Sequence, residues 1–191
     1  IEIEFSDRHE FNLRIVQAIK HEVGAIGLWQ SLIGVVKEMS LYDDEYFIFC
    51  EDDHTFTKHY TPEVLQEGIE TAKSHNADIL LGGVSWLETA VQVSDRMFWV
   101  DKYTGNQFVV IFKKFYPVIL GITDFENMTA DKKISELSEN KFVIFPFISL
   151  QKEFGYSDAT NNNNNTGRVD YLFDTTIKKL SKIDKVRRYY C

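Results

Sequence analysis

The chain has 191 residues and a formal net charge of −8, with 44% hydrophobic and 26% charged residues, the composition of an ordinary globular domain with a full core. The negative balance argues against nucleic-acid binding as its main task. Two cysteines, Cys50 and Cys191, make no disulfide framework, and no apolar run has the length of a membrane-spanning helix or the form of a signal peptide.

Ile1 to Phe5 alternates apolar and acidic residues, as a half-buried strand does. From Arg8 to His21 the apolar residues Phe11, Ile15, Ala18 and Ile19 keep helical spacing, and Gly24 breaks it. A second helix is predicted from about Ala25 to Met39, with Trp29, Leu32, Ile33, Val36 and Met39 on one face. A strand, Tyr46 to Cys50, follows a polar turn. Thr61-Pro62-Glu63 is a helix start, with Thr as N-cap and Pro at the first helical position. Its helix stops near Asn76, and Asp78-Ile79-Leu80-Leu81 is the next strand, so the stretch is expected to form a βαβ unit. Gly82-Gly83 ends that strand, either because the backbone turns there or because a ligand approaches closely.

Met97 to Val100 and Gln107 to Phe112 are expected to be two strands of a hairpin-like unit joined through Asp101 to Asn106. Lys113 to Leu120 resembles a short helix interrupted by Pro117. Thr129-Ala130-Asp131 opens a helix to about Glu139, and Lys141 to Phe145 is a strand closed by Pro146. Phe147 to Thr160 has no clear period. The run Asn161 to Asn165 is low in complexity, and a flexible Asn-rich loop is expected over 161–167. Arg168 to Lys182 is helical in pattern and leads into a basic tail with Lys185, Arg187 and Arg188.

The segment richest in chemistry is Phe47-Ile48-Phe49-Cys50-Glu51-Asp52-Asp53-His54. Its apolar part reads as a buried strand of a parallel sheet, so the carboxylates emerge at the strand's C-terminal end, the sheet edge where ligands bind in open α/β folds. Neighbouring carboxylates repel, and a divalent cation is the simplest reason to crowd them, since Mg²⁺ and Mn²⁺ prefer oxygen ligands. A solvated acidic turn is the plain alternative. Asp53 is the first candidate for a metal ligand and Glu51 the second. Asp52 faces the opposite way on an extended backbone. His54 is read either as a phosphate or metal contact or as a solvated turn histidine.

These segments, in this order, resemble a GT-A-type glycosyltransferase and more narrowly glycosyltransferase family 25, which includes bacterial lipooligosaccharide transferases and collagen galactosyltransferase domains. Glu22-Val23-Gly24 before the Trp29 helix looks like the family's Glu-Ile-Gly segment, and Phe47 to Asp53 looks like its acidic metal motif. Asp78 to Gly82 looks like the strand that follows, and Asp131, Pro146, Gln151 and Ser157-Asp158 look like its closing pattern. The resemblance spans roughly residues 20 to 160. Two departures stand out. Gly27-Leu28 or its neighbours replace the family's Ser-His pair, and its opening strand, with an Asn-Leu and Arg-containing segment, is not visible. The domain either lacks that strand or binds its nucleotide differently.

The resemblance implies an α/β fold: a single domain over 1–191, with a GT-A-like, Rossmann-type mixed sheet flanked by helices. It implies a hexosyltransferase that uses Mn²⁺ or Mg²⁺ through a DXD-type motif in glycan biosynthesis. Such an enzyme moves a sugar from a nucleotide sugar, UDP-sugar favoured, to a hydroxyl on a glycan or glycoprotein acceptor, with inversion. Asp131 would be the base that takes the acceptor's proton, and a helix cap is its competing role. Gly82 and Gly83, with Asp52 and His54, would contact the donor. Gln151, Ser157 and Asp158 would hydrogen-bond sugar hydroxyls or brace a loop, and Trp86 or Trp99 would stack on a sugar face or pack in the sheet. The alternative is a catalytically silent glycosyltransferase-like binding or scaffold domain. A nucleotidyltransferase is disfavoured because no Gly-rich phosphate loop with Lys or Arg is seen near the start. The expected compartment is cytoplasmic, with peripheral membrane contact, or the secretory pathway, left open because the chain does not start with Met.

Overall fold

The computed structural model describes residues 1–123, 129–153 and 167–190. The backbone opens with a short helix, α1 (Glu2–Phe5), and then α2 (Gly24–Met39), β1 (Tyr46–Cys50), β2 (His54–Phe56), α3 (Pro62–Ser74) and β3 (Ile79–Leu81). Next come β4 (Trp86–Leu87), β5 (Ala90–Ser94), β6 (Met97–Val100), β7 (Tyr103–Thr104) and β8 (Phe108–Phe112). A single 3₁₀ turn leads into α4 (Tyr116–Leu120), and α5 (Ala130–Leu137), β9 (Lys141–Ile144), β10 (Ser149–Gln151) and α6 (Arg168–Tyr190) complete the order.

Six strands form one mixed sheet in the order β1-β8-β3-β9-β6-β5, in which only β3 and β9 pair in parallel. Strand side chains alternate between faces, and the core divides accordingly. Ile79, Leu81, Val109, Ile111 and Val143 pack with Trp29, Leu32 and Val36 of α2, Ile119 of α4, Ile134 of α5 and Phe173 and Leu180 of α6. Leu80, Phe108, Val110, Phe112 and Ile144 pack with Leu65, Ile69 and Ala72 of α3. The fold is thus α/β, a mixed sheet covered by helices on both faces. Two short antiparallel ribbons, β2 with β10 and β4 with β7, lie outside the main sheet.

Local signals place most elements where the sequence puts them. Thr61 Oγ1 accepts the Val64 N–H at 3.2 Å and Pro62 opens α3. Asn76 ends the following turn with φ of 55°, a conformation Asn tolerates better than most residues. Pro117 sits in the first turn of α4, where a missing N–H costs nothing.

Four expectations are corrected. Ile1 to Phe5 is not a strand: residues 2–5 are helical, and the Glu4 carboxylate accepts from Phe56 N, Thr55 Oγ1 and Lys152 Nζ, tying the start of the chain to β2. Residues 11–21 form no helix. Phe11 turns instead into an aromatic group with Phe5, Phe56 and Tyr60, and Leu13, Ile15, Val16 and Ile19 stay 42–55% exposed. β1 and β3 are not neighbours, because β8 lies antiparallel between them. For the same reason β6 and β8 form no hairpin: β6 pairs with β5 and β9. The intruding strand reads Phe-Val-Val-Ile-Phe and is buried along its whole length, so it needs partners on both edges and helices on both faces.

Candidate functional site

Because β8 runs antiparallel to both β1 and β3, these two strands point the same way as β9, and their C-terminal ends share one edge of the sheet. A groove of about 2400 Å³ starts at Tyr42 to Glu45, follows the open edge of β1 past α3, and reaches this end of the sheet as the cleft where the candidate site lies. There its floor is Glu51-Asp52-Asp53 after β1, its walls are Thr104-Gly105-Asn106, the start of α5 at Thr129 to Lys132, and the first turn of α6, and residues 10–22 run over it.

The acidic floor is held by bonds from distant segments. Glu51 N donates to Gln107 O at 3.3 Å, and Lys152 N donates to Asp53 O at 2.7 Å. Gln151 Nε2 donates to Asp53 Oδ2 at 2.6 Å, while Asp53 Oδ1 is buried with no hydrogen-bond partner. Burial raises the Asp53 carboxyl to about 6, the Gln151 bond opposes that shift, and the Asp52 charge adds to it. Burial, followed by the charges of Asp53, Asp131 and Asp52, pushes Glu51 well above the usual carboxylate range. The fold therefore gathers carboxylates from β1 and α5 into one site, where burial and neighbouring charge disfavour the ionised forms of Glu51 and Asp53.

Asp131 lies on the cleft wall with both oxygens occupied. Oδ2 accepts the Gly105 N–H at 2.9 Å, and Oδ1 accepts from Lys132 N at 2.8 Å and from the Thr129 hydroxyl. Gly105 reaches it with φ of 106°, where a side chain would be strained. The segment Thr104-Gly105-Asn106-Gln107 thus sits between Glu51 and Asp131, and sequence reasoning missed it. The only sequence signal was a glycine in a polar connection. Buried Gln107 donates from Nε2 to Gly83 O at 2.9 Å, and the Tyr103 hydroxyl donates to Asn106 Oδ1 at 3.1 Å.

Glu51, Asp52, Asp53, Asp131 and Gln151 all line the cleft, with Asp52 exposed at its mouth. Gln151 contacts Asp53 rather than open solvent. Other expected donor contacts lie elsewhere. His54 is fully buried; its Nδ1 shares a hydrogen bond with Ser149 Oγ at 2.7 Å and its ring packs against Phe5, Phe56 and Phe108. Burial lowers it to about 4, so it is a neutral core histidine and not a phosphate contact or a solvated turn residue. Gly82 and Gly83 are approached by the chain itself. A Cβ on Gly83 would meet Ser149 O at 2.2 Å, and one on Gly82 would meet Phe108 at 2.8 Å. Trp86 is 44% exposed on β4 and is not part of the cleft lining, although Ser85 before it and Thr104, the register partner of Trp86, are. Trp99 Nε1 donates to Glu139 O at 2.7 Å and belongs to the sheet. Ser157, Asp158, the Asn run and Cys191 lie outside the described residues.

The described residues contain no group of three or more His, Cys, Asp or Glu side chains placed to hold a metal ion by themselves. No described helix is long and apolar enough to cross a membrane. No family model matches the chain, and no curated protein matches it. Among solved structures it is similar to the crystal structure of apo UDP-glucose pyrophosphorylase, at a TM-score of 0.45 and 10% identity, over 80% of this chain and 60% of that one. The chain thus spans three fifths of that enzyme's length.

Proposed function

We propose that the cleft binds a nucleotide sugar with a divalent cation and that the chain is a glycosyltransferase resembling family 25, moving a sugar, from a UDP-sugar by preference, to a hydroxyl of a glycan or glycoprotein. The observation that carries this reading is the unpartnered, buried Oδ1 of Asp53 beside a second carboxylate, Glu51, on the floor of the cleft. A buried polar atom with no partner is costly, and a hard cation is the partner that also relieves the repulsion. Asp53 and Glu51 would hold Mn²⁺ or Mg²⁺, which supplies charge stabilisation to the departing diphosphate. Two protein carboxylates suffice, because such ions keep waters and substrate phosphates as their remaining ligands.

The other residues have distinct tasks. Gln151 fixes the Asp53 carboxylate through Oδ2 and leaves Oδ1 free. Exposed Asp52 accepts from ribose or donor-sugar hydroxyls. Lys132 and Arg168, on the opposite wall, supply positive charge to the phosphates. Asp131 accepts the acceptor's proton in the family-based reading, although three donors already occupy its two oxygens.

That occupancy of Asp131 favours the second reading, a catalytically silent domain that binds a nucleotide sugar without transferring it. Titration with UDP-, GDP- and CMP-sugars, in Mn²⁺ or in EDTA, combined with an assay of slow donor hydrolysis, separates the two. Metal-dependent binding with hydrolysis supports the transferase, and binding without hydrolysis supports the silent domain. Absence of metal-dependent binding by the folded chain rejects both.

A further inference from the structure

The longest helix, α6, carries a surface that the cleft does not use. Its buried stripe is Val169, Phe173, Thr176 and Leu180, packed toward β4 and β5. At about 100° per residue, Lys178, Lys182, Lys185 and Tyr189 fall within about 60° of one another on the opposite side. All four are exposed, and the three lysines make no hydrogen bond or ion pair among the described residues. The neighbouring basic groups are engaged: Arg187 pairs with Asp95 at 2.6 Å, Arg188 with Asp184 at 2.9 Å, and Lys179 Nζ reaches Leu87 O at 3.4 Å. Residues 178–188 hold six basic side chains (Lys178, Lys179, Lys182, Lys185, Arg187 and Arg188) and one acid, Asp184, in a chain whose net charge is −8. Beside them Val186 is 52% exposed, Tyr189 81% and Tyr190 78%.

We infer that the outer face of the last three turns of α6 is a docking surface for an anionic lipid bilayer. The lysine row is straight and spans about 17 Å with Tyr189, so a flat negative surface meets all of it at once. Long lysine stems and tyrosine rings suit the bilayer interface, where an apolar body and a polar tip are both accommodated. A nucleic acid would wrap beyond one helix and meet the acidic remainder of the chain, whereas a planar bilayer touches the helix alone. The first turn of α6 lines the cleft, so docking through its far end keeps the cleft beside the membrane. This inference stands independently of the reaction proposed for the cleft.

Co-sedimentation with vesicles tests it. Vesicles of phosphatidylglycerol and phosphatidylcholine should bind the full chain at low salt and release it at high salt, and pure phosphatidylcholine vesicles should not bind it. Each basic side chain near an anionic surface contributes about fivefold, so Lys178→Ala, Lys182→Ala and Lys185→Ala together should weaken binding about a hundredfold. Tyr189→Ser with Tyr190→Ser should weaken it further while leaving the salt dependence unchanged. The sites are exposed, and circular dichroism checks that the variants fold. Failure to bind anionic vesicles overturns the inference, as does equal binding by the triple lysine variant. Capture by duplex DNA at a salt concentration where vesicles are not bound would also overturn it.

Discussion

Asp53→Asn should make the ligand-free protein more stable while removing its response to metal. The substitution keeps the shape of the side chain and the oxygen that accepts from Gln151 Nε2 at 2.6 Å, and it removes the charge that burial and Asp52 disfavour. Raising a carboxyl from 3.8 to about 6 corresponds to about 3 kcal/mol between its charged and neutral forms. An amide nitrogen left short of acceptors in place of Oδ1 costs about 1–2 kcal/mol of that. The expected net gain is about 1–2 kcal/mol, a rise in Tm of about 2–8 °C for a chain of this size.

The sign depends on pH. A carboxyl raised in the folded state weakens the fold above its folded value of about 6, and the penalty fades as pH falls toward 3.8. The variant's advantage should therefore be full at pH 7–8, vanish at about pH 5 and reverse toward pH 4, where only the amide cost remains. The comparison must be made at each pH, because His54 works in the opposite direction: burial lowers it to about 4, so the stability it contributes is lost as pH falls from 6.5 toward 4 in both proteins. With UDP and Mn²⁺ at a hundredfold excess over Kd, wild type should gain about 2.7 kcal/mol and overtake the variant. Thermal melts with and without ligand read all of this. A variant less stable than wild type at neutral pH without ligand, or one stabilised equally by Mn²⁺ and UDP, would refute the reasoning.

Other perturbations test the frame around the site. Gly83→Ala places a Cβ 2.2 Å from Ser149 O, a backbone atom that cannot step aside, and should cost about 3 kcal/mol, read as a loss of thermal stability. A neutral effect would mean that β10 is not seated on Gly83. The Glu4 carboxyl is desolvated, yet Lys152, Phe56 N and Thr55 hold it below its ordinary value. The stability it contributes is present above that ordinary value and lost as pH falls through the lowered one. Glu4→Gln should speed proteolysis at Arg8 and Arg14 at pH 7, and an unchanged cleavage rate would contradict the tie between α1 and β2. Asp131→Asn should reduce transfer far more than donor binding if Asp131 takes the acceptor proton. Equal losses of binding and turnover would assign it to holding Gly105 and the start of α5.

The sequence made legible what depends on neighbours along the chain. α3 was readable from Thr61-Pro62-Glu63, α5 from Thr129 to Asp131, and the acidic floor from an apolar strand running straight into three carboxylates. Contacts across long separations were not readable. Nothing in Phe108 to Phe112 says that it enters between β1 and β3, because an all-apolar run is satisfied by any pair of partners. The Gln151–Asp53 bond depends on β10 pairing with β2, almost a hundred residues away. Residues 11–21 misled for a related reason. Their helical spacing was real, but Phe11 found a better apolar partner in Phe56 and Tyr60, and helix stability comes mostly from burying a face.

The entry of β8 also explains how the carboxylates are kept together. Its leading residues are the hinge of the site: Gln107 O accepts Glu51 N–H, Gln107 Nε2 donates to Gly83 O, and Gly105 N–H holds Asp131. One short segment thus links the ends of β1 and β3 to the start of α5, through bonds that do not depend on the charge of Glu51 or Asp53. Repulsion between the carboxylates after β1 and Asp131 cannot relax by swinging the acidic turn aside, because the Glu51 N–H and Asp131 Oδ2 are both tied to the same Gly105–Gln107 segment. The strain is therefore stored as raised carboxyl affinities for protons, the form in which a cation can relieve it. In a parallel βαβ arrangement without the central antiparallel strand, the acidic turn would be free to swing away from α5, and the same residues would form a solvated loop.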